Sequence, residues 1–271
     1  MTALITALII LVVLAALLLF LLAGRRNHPG LEKLRGWSYA HRGLHGNGIP
    51  ENSMAAFRVA LEKGYGIEFD VHLMKDDNLA VIHDSSLKRT AGVDIRIEDL
   101  TKEDLENYPL EGTQERIPLL QDLLALYTGN APLIIELKPE KGNHAALGKA
   151  VCEMLESYDG VYCMESFDPR TVAWLKKNRP QIIRGQLAYN YFSKKGFLPW
   201  PIKVLLTYSL VHVATRPDFT AYKYCDRNMF TTTICRKVLG IQGVSWTIKT
   251  QEEFDIAVKD GWIPIFESFT P

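Results

Sequence analysis

The chain has 271 residues, 47% of them apolar and 23% charged, with 31 basic and 31 acidic side chains that cancel to zero net charge. That balance excludes binding of nucleic acid by bulk positive charge, and it excludes a disordered polyelectrolyte tail. Four cysteines without CxxC spacing are too few for a disulfide scaffold and do not form a structural zinc site, so they read as free thiols.

The N-terminus departs sharply from these averages. From Ala3 to Ala23 the chain runs 21 residues without a charge, and Thr6 is the only polar side chain among them. At ~1.5 Å per residue a helix of this length reaches about 31 Å, enough to cross a hydrocarbon layer of about 30 Å. A cleaved signal peptide is the rival reading. No Lys or Arg precedes the run, however, and Leu21-Leu22-Ala23-Gly24-Arg25 is a weak cleavage site. Residues 1–24 are therefore read as a transmembrane anchor and 25–36 as a juxtamembrane linker. Arg25, Arg26, Lys33 and Arg35 follow the helix closely, so the positive-inside bias predicts a single-pass protein of the cell membrane with its large C-terminal part in the cytoplasm.

About 235 residues remain, enough for one large domain. Short apolar runs predict strands at 37–41, 67–71, 79–83, 133–137, 161–166, 182–187, 219–224, 244–248 and 263–267. Helical patterns fall at 53–63, 119–127, 145–157, 169–178 and 251–260. The last follows Thr250, with Glu253 three residues on as a capping box. Strands alternating with helices imply parallel pairing, and about eight units point to an α/β fold of the (β/α)8 TIM-barrel type over 37–271. Nine strands are one too many. The 79–83 run is the suspect, because it follows 67–71 with no room for a helix. The apolar segment 189–215, with Lys194-Lys195, Phe197, Leu198-Pro199-Trp200-Pro201 and Val204-Leu205-Leu206, reads as an insertion. It is either a lid or interfacial patch near the barrel mouth or a helix packed on the outside.

Side chains alternate along a strand, so Glu68 and Asp70 share one face while Ile67, Phe69 and Val71 take the other. Glu136 and Lys138 repeat the arrangement. Carboxylates aimed into a barrel are costly unless neutralised, and a divalent cation held by oxygen ligands is an economical solution. An edge strand turning these acids to solvent is the alternative. His41 and His83 close two predicted strands, where barrel active sites form, and imidazole suits acid and base work near neutral pH. His72 continues the parity of Glu68 and Asp70. Arg42 offers bidentate contacts to a phosphate or carboxylate, and Gly43 permits a tight turn.

These residues resemble an ordered signature. His41-Arg42-Gly43, Pro50-Glu51-Asn52-Ser53, Ile67-Glu68-Phe69-Asp70-Val71 and Val81-Ile82-His83-Asp84, followed by Glu136-x-Lys138, Ser166-Phe167-Asp168 and Trp246-Thr247, are similar to the glycerophosphodiester phosphodiesterase family. The resemblance runs from Trp37 to the C-terminus and implies a metal-dependent TIM-barrel hydrolase that releases glycerol 3-phosphate and an alcohol. It implies His41 and His83 as catalytic base and acid, Glu68, Asp70 and Glu136 as ligands of Ca2+ or Mg2+, Arg42 and Lys138 as phosphate-binding groups, and Glu51 as a metal ligand or a neighbour of the metal. Lysophospholipase D action on membrane lysophospholipids and a catalytically silent membrane-tethered binding module are the other two readings. The chain departs from the family at Glu165, where a small serine is usual, and at Ile265-Phe266-Glu267-Ser268, where Thr-Asp-x-Pro is common. It also departs in the 189–215 insertion.

Overall fold

The computed structural model describes residues 1–193, 196 and 198–271. Lys194, Lys195 and Phe197, part of the sequence reading of the insertion, lie outside the described residues. The strands are β1 (Tyr39–His41), β2 (Gly66–Leu73), β3 (Leu79–Val81), β4 (Leu133–Leu137), β5 (Tyr162–Ser166), β6 (Arg184–Ala188), β7 (Phe219–Lys223), β8 (Gln242–Ile248) and β9 (Ile263–Phe266). The helices are α1 (Thr2–Leu22), α2 (Met54–Glu62), α3 (Lys88–Ala91), α4 (Leu120–Leu126), α5 (His144–Met154), α6 (Pro169–Asn178), α7 (Trp200–Thr207), α8 (His212–Thr215), α9 (Phe230–Thr233) and α10 (Gln251–Lys259).

Eight strands are parallel neighbours, and β1 pairs with both β2 and β9, which closes them into a TIM barrel. The ninth, β3, is antiparallel to β2 and stands outside the ring, as the missing room for a helix anticipates. Alternation sorts the side chains. Ile67, Phe69 and Val71 pack with Phe57 and Ala60 of α2 and Leu120 and Leu123 of α4, so this face of β2 meets the helical layer. Glu68, Asp70 and His72 point the other way and are all buried. Inside the ring, Tyr39, Ile134, Cys163, Phe219, Val244 and Ile265 form a second core. Leu31 and Leu34, from a 3-10 turn over Pro29–Leu34, plug its lower end.

The segment 25–36 is thus folded onto the barrel. Arg25 forms a bidentate pair with Asp218, Nε to Oδ1 and Nη2 to Oδ2 at 2.5 Å each, and donates to the carbonyls of Pro180 and Ile182. Helix α1 is long and apolar enough to cross a membrane. Most of it projects free of the barrel, and Leu22 at its end is fully buried against Cys235, Leu239 and Ile241. At α10, Thr250 Oγ accepts from the Glu253 N–H as a cap. The Glu253 carboxylate takes the Lys249 N–H rather than that of Thr250, so only half of the predicted capping box forms.

Candidate active site

The carboxyl ends of the strands gather the polar residues that the sequence singles out. Register places Asp70 beside Glu136 and Glu68 beside Ile134 on adjacent staves. One carboxylate oxygen from each of Glu68, Asp70 and Glu136 lies within 4.8 Å of the others, and all three residues are buried. The Lys138 ammonium sits 2.9 Å from Glu136 Oε1 and 3.2 Å from Asp70 Oδ1. Asn52 Nδ2 donates to Asp70 Oδ2 at 2.9 Å.

Burial dominates the electrostatics. It raises Glu68 well above the usual carboxylate range, with Asp70, Glu136 and Glu165 adding repulsion. Glu136 is pushed up to about 7, since burial and Asp70 outweigh Lys138. Burial also acts on Asp70, but Lys138, His83, Arg42 and the Asn52 hydrogen bond hold it well below its ordinary value. Three carboxylates crowded together out of water mark an acidic site short of positive charge. Apart from its ion pair with Lys138, Asp70 Oδ1 has no hydrogen bond among the described residues, and Glu165 Oε2 on the next stave has none. Buried carboxylate oxygens short of hydrogen bonds are costly, and all-oxygen donors suit a hard divalent cation. The donor set fits such an ion.

Arg42 follows β1 with φ of 55°, a left-handed conformation that costs a non-glycine residue about 1–2 kcal/mol. Its N–H bonds the Glu68 carbonyl at 2.8 Å, and Gly43 continues the turn at φ 79°. A Cβ on Gly43 would stand 2.8 Å from Ala56 Cβ, so this glycine is required by space as well as by angle. The turn aims the Arg42 guanidinium at Glu51 (2.8 Å) and Asp70 (3.5 Å). Glu51 is also held by Arg89 at 2.6 Å, so it stands among guanidinium groups rather than with the three acids.

His41 and His83 line one small cavity of about 40 Å³ together with Arg42, Glu68, Glu136, Glu165, Phe167 and Trp246. His83, Glu136 and Phe167 also line an adjoining cavity of about 190 Å³. A larger cavity of about 520 Å³ opens at the opposite end of the barrel around Trp37, Ser38 and Trp262, away from every acid named above. We place the chemistry in the smaller space, because a barrel's amino end carries stability rather than catalysis.

Each imidazole is steered by a carboxylate. His41 Nδ1 lies 2.7 Å from Glu267 Oε2, and His83 Nδ1 lies 2.6 Å from Asp84 Oδ1. His41 Nε2 is 3.9 Å from Glu68. Burial lowers the pKa of both histidines; the Glu267 bond partly offsets it for His41, as does the Asp70 charge for His83. The His41 hydrogen bond in turn pulls Glu267 down to about 2. Glu267 lies in the stretch where the chain departs from the family pattern, so no motif signals this contact. It is 226 positions from its partner, and only closure of β9 on β1 brings the two together. His72 supports from behind: its Nδ1 meets Glu98 at 2.7 Å, and its Nε2 donates to the His83 carbonyl at 3.2 Å.

A closed parallel barrel with a buried acid cluster, two steered histidines and a paired arginine and lysine at its carboxyl end has the features of a TIM-barrel hydrolase. The glycerophosphoryl diester phosphodiesterase family model matches residues 41–267, so the chain belongs to that family. It is 37% identical to a glycerophosphodiester phosphodiesterase of Bacillus altitudinis over 53% of this chain and 63% of that protein. It is 35% identical to lysophospholipase D GDPD1 of Homo sapiens over 44% of this chain and 41% of that one. The chain thus spans under two thirds of the length of these two relatives. Among solved structures, an Oleispira antarctica phosphodiesterase in complex with the product sn-glycerol-3-phosphate superposes with a TM-score of 0.71 at 23% identity, covering 85% of this chain and 92% of that one. At that identity the likeness speaks for the fold.

Proposed function

We propose that this protein hydrolyses glycerophosphodiesters to glycerol 3-phosphate and an alcohol. In this reading residues 37–271 are the catalytic barrel, tied by 25–36 to a membrane anchor at 1–24, with the barrel on the cytoplasmic side of the cell membrane. The observation that carries the reading is the convergence of Glu68, Asp70 and Glu136 beside a cavity that two carboxylate-steered histidines line.

Glu68, Asp70 and Glu136 would hold Ca2+ or Mg2+, which when bound supplies positive charge to the phosphate oxygens. Arg42 and Lys138 are the phosphate-binding groups; each already neutralises Asp70 and can shift part of its contact to the anion. His41 donates its Nδ1 proton to Glu267 and so keeps an Nε2 lone pair toward the cavity. It acts as base on the attacking hydroxyl, either water or the neighbouring glycerol hydroxyl, the latter giving a cyclic phosphate. His83, with Asp84 stabilising its imidazolium form, returns a proton to the leaving alkoxide. Glu51 fixes Arg42 and Arg89 and completes the wall beside the phosphate.

The test is a coupled assay of glycerol 3-phosphate release from glycerophosphocholine and glycerophosphoethanolamine, with Ca2+, Mg2+ or chelator. The reading expects turnover that chelator abolishes and a divalent ion restores. No release from any diester under any metal would sink it and leave a membrane-tethered binding module. The human relative's name raises a second substrate class, lysophospholipids, which the exposed apolar surface favours.

A further inference from the structure

The segment after β6 was expected to be either a patch at the mouth or a helix on the barrel's flank, and it is a bridge between the two. At one end lies the site. Phe167, in the cavity wall, meets Tyr189 edge to face at 5.9 Å, Tyr189 stacks on Tyr191 at 4.0 Å, and the Tyr191 N–H bonds Thr207 Oγ at the end of α7 at 3.0 Å. At the other end lies the foot of α1. Leu210 packs into the cluster that buries Leu22. His212 Nδ1 donates to the Leu22 carbonyl at 3.0 Å, and Arg216 Nη1 donates to the Phe20 and Ala23 carbonyls at 2.7 and 2.9 Å. The last carbonyls of a helix ordinarily lack partners. Here the barrel supplies them for Phe20 and Leu22, and for Ala23 just beyond, which ties the foot of α1 to the barrel.

Between these ends the surface is apolar. Trp200 is 71% exposed, and Leu198, Ile202, Leu205 and Val213 are exposed beside it. Among the described residues, Lys176 and Lys177 on α6 and Lys203 on α7 supply positive charge to this flank, while Arg170 and Arg179 pair with Asp168 and Glu156 and Arg184 is buried. Helix α6, which holds part of this charge, packs against α8. An exposed apolar strip within a basic flank, ending on a helix fit to cross a bilayer, has the composition of an interfacial membrane surface.

We propose that the α7–α8 flank lies in the headgroup layer of the bilayer that receives α1, with Trp200, Ile202 and Leu205 inserted and the basic flank facing anionic lipid. This holds the β6 rim of the mouth at headgroup level, so the site takes diesters that keep an acyl chain in the membrane. The substrate half of the proposal rests on the hydrolase reading above; the docking half does not.

The test uses the full chain in nanodiscs of phosphatidylcholine and phosphatidylserine. Acyl-chain doxyl lipids should quench part of the tryptophan fluorescence, and Trp200→Phe should remove the quenchable part. With lysophosphatidylcholine in the disc, Trp200→Ser/Ile202→Ser/Leu205→Ser should lower kcat/KM about tenfold while soluble glycerophosphocholine turnover stays within about twofold. Quenching that persists unchanged in Trp200→Phe, or equal effects on both substrates, would overturn the proposal. If the wild-type chain turned over neither diester, the hydrolase reading would fall, and quenching alone would decide the docking.

Discussion

Glu267 reaches His41 across the barrel seam and holds Nδ1, which leaves Nε2 for the base role proposed above. Replacing it with Gln keeps the shape but weakens the bond and removes the charge that supports an imidazolium. We expect Glu267→Gln to lower kcat by about 10²-fold with little change in KM, and His41→Ala to cost about 10²–10⁴-fold. Steady-state kinetics on a soluble diester measures both; a KM effect alone for Glu267→Gln would assign it to substrate binding. Away from the site, His212 is fully buried, with Nδ1–H on the Leu22 carbonyl and Nε2 without a partner among the described residues. Burial lowers its pKa to about 4, the Leu22 bond opposing. The unfolded chain would take up a proton at this histidine near pH 6.5, where the folded one does not, so stability falls as pH drops from about 6.5 toward 4, by about 3 kcal/mol in all. Denaturant unfolding across that range should show this slope, and His212→Gln should flatten it; an unchanged slope would remove His212 as its source.

At the level of elements, the eight barrel strands were legible because their apolar runs are short and bounded, and the surplus strand betrayed itself by its spacing. The helices with clear 3.6 periodicity, such as α2, α6 and α10, were equally legible. Sequence reasoning missed the short α3 and the helix over 230–238, α9 running on into a π turn. The Phe230-Thr231-Thr232-Thr233 start of α9 is rich in β-branched residues of low helix propensity, and packing on the barrel and on Leu22 stabilises it. The residues 25–36 read as a linker because nothing local reveals that Arg25 has a buried partner 193 positions away. Asp218 also accepts the Arg184 N–H at 2.9 Å. Asp218→Ala would leave Arg25 unpaired and Arg184 without that support, and should destabilise the barrel by about 3–5 kcal/mol. Thermal unfolding checks this, and a loss below about 1 kcal/mol would show that the docked segment is held by Leu31 and Leu34 instead.

For the whole molecule, the acids, histidines, arginine and lysine of the site were all readable as motifs, since each sits at or beside a strand end and parity fixes its face. Their convergence was legible only through the family resemblance, because it depends on register between staves, Asp70 beside Glu136, and the return of Glu267 to His41 by closure was not read at all. Crowded buried carboxylates oppose folding until an ion joins them, so a bound divalent metal should stabilise the barrel by mass action. Chelator should lower Tm, and Glu68→Gln/Glu136→Gln should raise the metal-free Tm while abolishing the response to metal. An unaltered metal response in that variant would place the ion elsewhere. The most direct measurement is anomalous diffraction from crystals grown with Mn2+. The account predicts one strong peak bounded by the carboxylates of Glu68, Asp70 and Glu136, facing the cavity of His41 and His83. A peak elsewhere, or density showing those three acids bound only to Arg42 and Lys138, would contradict it.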